Sequence, residues 1–189
     1  MDIGSQKKEY VEEDVISERI DHLLEERIPW LFLGLLGGLF ATFVVSKFEG
    51  ILAADVRLAF FIPIIVYLSS AVGTQSETIY VREIAERAKI DFRRYILKET
   101  LVGFGLGIIS GAILGAIAAY WLGSFTIGFT IGFTMLINLT IAPALAIFVP
   151  RVLYKRHADP ALGAGPLATI IQDLISLVVY FVVVSFLLF

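Results

Sequence analysis

Five apolar stretches, each about 20 residues long and divided by short links that hold most of the charge, leave this chain few folds to choose from. A helix rising about 1.5 Å per residue crosses the roughly 30 Å hydrocarbon core of a bilayer in about 20 residues. In lipid each spanning segment has to satisfy its own backbone, and runs of this length do so as helices. The 189 residues are 58% hydrophobic and 17% charged, whereas a soluble domain carries about 25% charged residues. The expected class is therefore all-α: a polytopic membrane protein with five transmembrane helices per chain. Residues 1–27 are expected to form a cytoplasmic acidic amphipathic helix and residues 28–189 the five-span transmembrane domain. With no cysteine, disulfides, thiolate metal sites and thiol redox chemistry are excluded. Most charges lie outside the spans, so the net charge of −3 says little about partners, and no nucleic-acid partner is expected.

Lys7 to Arg27 places Val11, Val15, Ile20, Leu23 and Leu24 near one side and crowds the others with acids. Because it is acidic, this segment does not suit binding to anionic lipid headgroups. It also lacks the apolar core of a signal peptide, so insertion is expected to rely on the first span. That span runs from about Ile28 to Ser46, with Trp30 as an interfacial anchor and Gly34, Gly38 and Ala41 suited to tight helix contact. The second, from about Leu58 to Val81, contains Pro63 and then turns polar through Ser69, Ser70, Gly73, Thr74, Gln75, Ser76 and Glu77. A proline and a glycine here predict a loosened helix with freed carbonyls, tolerable only against protein or a water-lined cavity. The third span, about Leu101 to Leu122, carries Gly103, Gly107, Gly111 and Gly115, a ridge of small residues that predicts close packing. A tight turn at Gly123 and Ser124 leads to the fourth span, which ends near Val149 and holds Gly128, Gly132, Asn138 and Pro143. Asn138 is expected to hydrogen-bond between spans, with a place on a polar path as the alternative. Arg151 to Ala164 forms the last link, and Pro166 opens the final helix.

That final stretch, Pro166 to Phe189, contains one acid, Asp173. A carboxylate at that depth costs about 2.5–3.5 kcal/mol to insert, so it requires an interior position and a partner. Steps of three and four connect Pro166, Thr169, Asp173, Ser176 and Tyr180 into one polar stripe. Two readings are open: a carboxylate serving helix assembly, and a cation-binding site. The second is favoured, because intramembrane acids are usually functional.

Five spans put the two ends on opposite sides. Thirteen of the fifteen basic residues fall before the first span or in the second and fourth links, and only Lys47 and Arg57 fall on the other side. The positive-inside rule then predicts a cytoplasmic N-terminus and a C-terminus outside, in a multi-pass protein of the cell membrane.

Four stretches, RIPWLFLGLLGG (27–38), FIPIIVYLSSAVGTQSETIYVR (61–82), KETLVGFGLGIISGAILG (98–115) and DPALGAGPLATIIQDLISLVVYF (159–181), resemble the membrane domain of the MgtE family of magnesium transporters. The resemblance implies a five-span protomer that pairs into a homodimer, with a cation pore at the two-fold interface lined by the second and fifth spans. It places the family's metal-binding acid on Asp173. Pore backbone positions fall near Ser69, Ser70, Ala71 and Gly73, and from Gly165 and Pro166 to Thr169. Thr74, Glu77 and Ser176 complete the expected lining. The chain departs from the family at Ser69, Ser70 and Ala71, where a glycine-glycine-asparagine run is usual, and at Glu77, an acid the pattern does not demand. The family's large cytoplasmic magnesium-sensing region has no counterpart in these 189 residues, so regulation by it is not carried over, and a separate regulatory chain is a conceivable partner.

The expected function is a channel or transporter moving a hydrated divalent cation, Mg²⁺ first, and not an enzyme. Mg²⁺ dehydrates reluctantly, and one or two carboxylates plus retained waters suit it. Two copies of Asp173 on an axis repel one another unless a cation sits between them, so the site should seldom be both empty and fully ionised. Thr169, Ser70 and Thr74 could receive the ion's waters, and Glu77 is either a second waypoint or an ion-pair partner of Arg82. Glu12, Glu13, Asp14, Glu18 and Asp21 are candidates for gating, binding cytoplasmic Mg²⁺ and holding the N-terminal helix against the pore mouth. The alternatives are a non-transporting membrane interaction subunit and a proton-coupled transporter of another solute.

Overall fold

The computed structural model describes residues 20–86, 90–155 and 160–189, and these are almost entirely helical. The described elements are α1 (Ile20–Ser46), α2 (Glu49–Ala54), a 3₁₀ turn (Val56–Phe61), α3 (Ile62–Glu86), α4 (Phe92–Leu122), α5 (Phe125–Lys155) and α6 (Pro160–Leu188). Five helical segments are long and apolar enough to cross a bilayer, as the sequence predicts, the 3₁₀ turn and α3 counting as one.

The middle of the bundle is α5, which contacts α3, α4 and α6. Its Ile131, Met135 and Leu139 join Leu58, Ile65, Tyr180, Phe181 and Val184 in a fully buried core. The polar residues of α5 are satisfied mostly within the helix. Thr130, Thr134 and Asn138 each donate to the carbonyl four residues back, at 2.9, 2.7 and 3.1 Å. Among the described residues Asn138 makes no bond to another span, contrary to the expectation, and its Oδ1 is buried without a partner.

The glycine ridge of α4 does what its spacing predicts. A Cβ on Gly111 would stand 2.5 Å from the Gly132 carbonyl oxygen, and one on Gly115 would stand 2.9 Å from that of Gly128. At Gly103 the obstacles would be the Leu139 carbonyl and the Pro143 ring. Pro143 has no N–H to give the Leu139 carbonyl, so a freed acceptor lies where α4 comes closest. Gly123, at φ 64°, ends α4 in the left-handed conformation that glycine adopts without cost.

Helix boundaries differ from the expectations at several points. α1 starts at Ile20 among the described residues, so residues 20–27 and the first span form one continuous helix through Pro29. The tight contact on α1 is at Gly37, where a Cβ would meet the Ile170 side chain. Gly34 and Gly38 have open space above them within this chain. Pro63 lies in the first turn of α3, where a missing N–H is harmless, and α3 runs unbroken past Gly73. The expected loosening of this span is absent. α4 starts at Phe92, where Asp91 Oδ1 accepts from the N–H groups of Arg93 and Arg94 at 3.2 and 3.3 Å. α6 begins at Pro160 and carries Pro166 inside it, so the last helix is a turn and a half longer than expected.

Candidate functional site

Two adjacent residues on α3 meet two adjacent residues on α6. The Ser70 hydroxyl donates to Asp173 Oδ1, and the Gln172 amide donates to the main-chain carbonyl of Ser69. Residues one apart on a helix point about 100° from each other. Gln172 accordingly turns inward and is 2% exposed, while Asp173 is half-buried and reaches the surface. There it opens on a groove of about 870 Å³ bounded by α1, the start of α3 and α6. Ser70, Thr169 and Asp173 supply its polar side chains, beside Tyr67 and the expected interfacial anchor Trp30. Gly34, Gly37, Gly38 and Ala41 line the α1 wall, where small side chains leave room.

The stripe expected on α6 divides. Thr169 and Asp173 face the groove, and Thr169 donates to the Gly165 carbonyl at 2.9 Å. Ser176, 2% exposed, is buried within the chain and does not line the groove. Tyr180 is fully buried, and its hydroxyl donates to the Leu58 carbonyl at 2.6 Å. Of the α3 positions, Ser69 is fully buried and donates to the Ile65 carbonyl at 2.7 Å, Gly73 is buried, Ala71 is half-buried and Thr74 is exposed away from the groove. Glu77 is 8% exposed and makes no hydrogen bond or ion pair among the described residues, so the pairing with Arg82 is not formed. Gly165 is exposed. Pro166 is helical, and its side chain, like Glu12, Glu13, Asp14 and Glu18, lies outside the described residues. Asp21 falls in the first turn of α1.

Two functional-looking residues escaped the sequence reading. Gln172 sits beside the acid, but an amide in an apolar run gives no sign of which neighbour it will find. Glu99 falls between the charged link that ends at Lys98 and the span expected from Leu101, whereas α4 has already begun seven residues earlier. Its carboxylate is buried and accepts from Ser76 Oγ at 2.8 Å.

One bond from Ser70 leaves much of the Asp173 carboxylate's accepting capacity directed to the groove, since two oxygens offer about four lone-pair positions. A hard, hydrated cation asks for that kind of donor: oxygen, charged, and with space beside it for water. Among the described residues no cluster of three or more acids or histidines occurs, and Asp173 is the one charged residue among those lining the groove.

Residues 62–183 match the MgtE family, described as divalent cation transporters. The chain belongs to the MgtE family. It is 31% identical to the magnesium transporter MgtE of Bacillus subtilis (strain 168) over 157 residues, which cover 82% of this chain and 35% of that protein. The MgtE magnesium transporter of Enterococcus faecalis is likewise 31% identical, over 93% of this chain and 39% of its own length. That of Thermus thermophilus is 31% identical over 86% and 36%. The chain thus spans little more than a third of the length of these MgtE relatives. Its match falls on the helices that carry Ser70, Gln172 and Asp173.

Proposed function

We propose that this chain moves hydrated divalent cations, Mg²⁺ first, across a cell membrane through a pore made when two copies pair about a two-fold axis. The observation that carries the reading is the position of Asp173: a half-buried acid in a spanning helix, held by a single hydroxyl and open to a large groove. A groove on one chain becomes a channel when a second copy closes it, and two-fold pairing brings the two carboxylates to the same axis. Two negative charges with retained waters between them suit an ion that keeps its hydration shell. Ser70 and Thr169 then orient the waters nearest each carboxylate. The basic residues of the links support an orientation with the N-terminus cytoplasmic and Phe189 outside. The acidic N-terminal segment is assigned the closing role at high cytoplasmic Mg²⁺; deleting residues 1–26 with no change in flux or in Mg²⁺ inhibition contradicts that assignment.

The Ser70 bond also fits a purely structural acid that only ties two helices together. Asp173→Asn separates the two readings, because asparagine still accepts from Ser70 but carries no charge. In Mg²⁺ uptake by reconstituted vesicles, the transport reading expects Asp173→Asn and Asp173→Ala to be equally defective. The structural reading expects Asp173→Asn to behave as the parent.

A further inference from the structure

Gln172 has no place in the groove, yet its side-chain amide hydrogen-bonds from α6 to the main chain of α3. In an α-helix the carbonyl of residue i already accepts from the N–H of residue i+4, and side chains crowd its flank. The residue four beyond Ser69 is Gly73. A Cβ built on Gly73 would fall on the Gln172 side-chain amide, meeting its oxygen, nitrogen and carbon together. The missing side chain is therefore a notch, and the notch lets a buried amide reach a carbonyl inside an intact helix. A primary amide fits such a place because its N–H completes the second lone pair of the Ser69 oxygen while its stem fills the space.

We infer that Gln172 is a positioning residue for Asp173. Its bond to Ser69 in the Gly73 notch fixes the rotation and register of α6 against α3, so that the next side chain along meets the Ser70 hydroxyl on the groove wall. This deepens the proposed function and rests on it. A binding constellation has to be held within about 0.5 Å and 10–20° to keep its affinity, and a helix free to roll about its axis exceeds that easily. The same geometry explains why Gly73 is needed in a helix it does not break.

The test compares Mg²⁺ uptake against Mg²⁺ concentration, together with thermal melting, for vesicles or detergent samples of the parent, Gln172→Leu, Gly73→Ala and the double variant Gly73→Ala/Gln172→Ala. Gln172→Leu is expected to raise the half-maximal Mg²⁺ concentration about tenfold, the equivalent of one ordinary hydrogen bond, with the maximal rate within about twofold of the parent. Gly73→Ala is expected to lower the melting temperature through the clash. The double variant removes clash and bond together, so its melting temperature should return towards the parent's while its half-maximal concentration stays raised. A Gln172→Leu protein with the parent's half-maximal concentration overturns the inference, and so does a double variant that recovers both properties. Should Gln172→Leu fail to fold, the double variant decides alone. A parent that takes up no Mg²⁺ contradicts the proposed function instead, so the two failures are distinguishable.

Discussion

The Tyr180 hydroxyl, fully buried on the last helix, donates to the main-chain carbonyl of Leu58 at 2.6 Å and so ties α6 to the 3₁₀ turn that precedes α3. Leu58 is itself fully buried, so this carbonyl has no water to turn to. The bond closes one end of the α3–α6 pair, well away from Asp173. Tyr180→Phe keeps the ring and removes the donor, and should destabilise the protein by about 1–3 kcal/mol. Thermal melting in detergent reads this, and uptake per folded molecule should not change.

The α4–α5 seam makes a sharper prediction about stability. Gly111→Ala puts a methyl group 2.5 Å from the Gly132 carbonyl, and backbone cannot step aside as a side chain can. The two helices have to separate, at a cost of about 1–3 kcal/mol. Gly105→Ala, off the ridge and with nothing within 4 Å of a Cβ built there, is the control and should melt with the parent.

Asp55 supplies the pH dependence. Its carboxylate accepts from Arg57 Nε at 2.8 Å, from Arg57 Nη2 at 2.6 Å and from the Arg57 N–H at 3.0 Å, and the side-chain hydrogen bond to Arg57 holds its pKa below the ordinary value of 3.8. A group whose pKa is depressed on folding contributes stability above its unfolded value and loses it as pH falls through the folded one. The Asp55 contribution should therefore be complete near neutrality and disappear below about pH 4. Asp55→Asn should flatten that part of the melting-temperature profile, and an unchanged acid limb would contradict the assignment.

Ser70→Ala removes the hydroxyl that holds Asp173 Oδ1 and leaves the charge. A hydrogen bond to a charged group is worth about 1.5–3 kcal/mol, part of which water in the groove restores. Uptake should persist with a half-maximal Mg²⁺ concentration raised several-fold, a milder defect than neutralising the acid. Concentration-dependent uptake beside Asp173→Asn checks the ranking.

Much of this architecture was legible in the residues. Five apolar runs, the glycine ridge from Gly103 to Gly115 and the Gly123–Ser124 turn each correspond to a described feature, because span length and small-residue spacing are local properties of the chain. The departures have tertiary causes. Gly73 looks like a helix breaker until the Gln172 amide fills the space above it. Gly34 and Gly38 share the spacing of a contact face, but α6 meets α1 at Gly37. The polar stripe from Thr169 to Tyr180 reads as one surface, yet it crosses from groove to core at Ser176, since only packing against α3 and α5 decides where the boundary falls. Asp173 was recognisable at once from the energy of placing a charge in lipid. Gln172, its neighbour, carries no such penalty signal.

The most direct test of the central claim is the initial rate of Mg²⁺ uptake into vesicles carrying equal amounts of folded parent or Asp173→Asn protein. Loss of charge at constant shape should reduce uptake at least about tenfold while the two proteins melt alike. Uptake by Asp173→Asn at the parent's rate would show that the carboxylate serves the helices and not the ion.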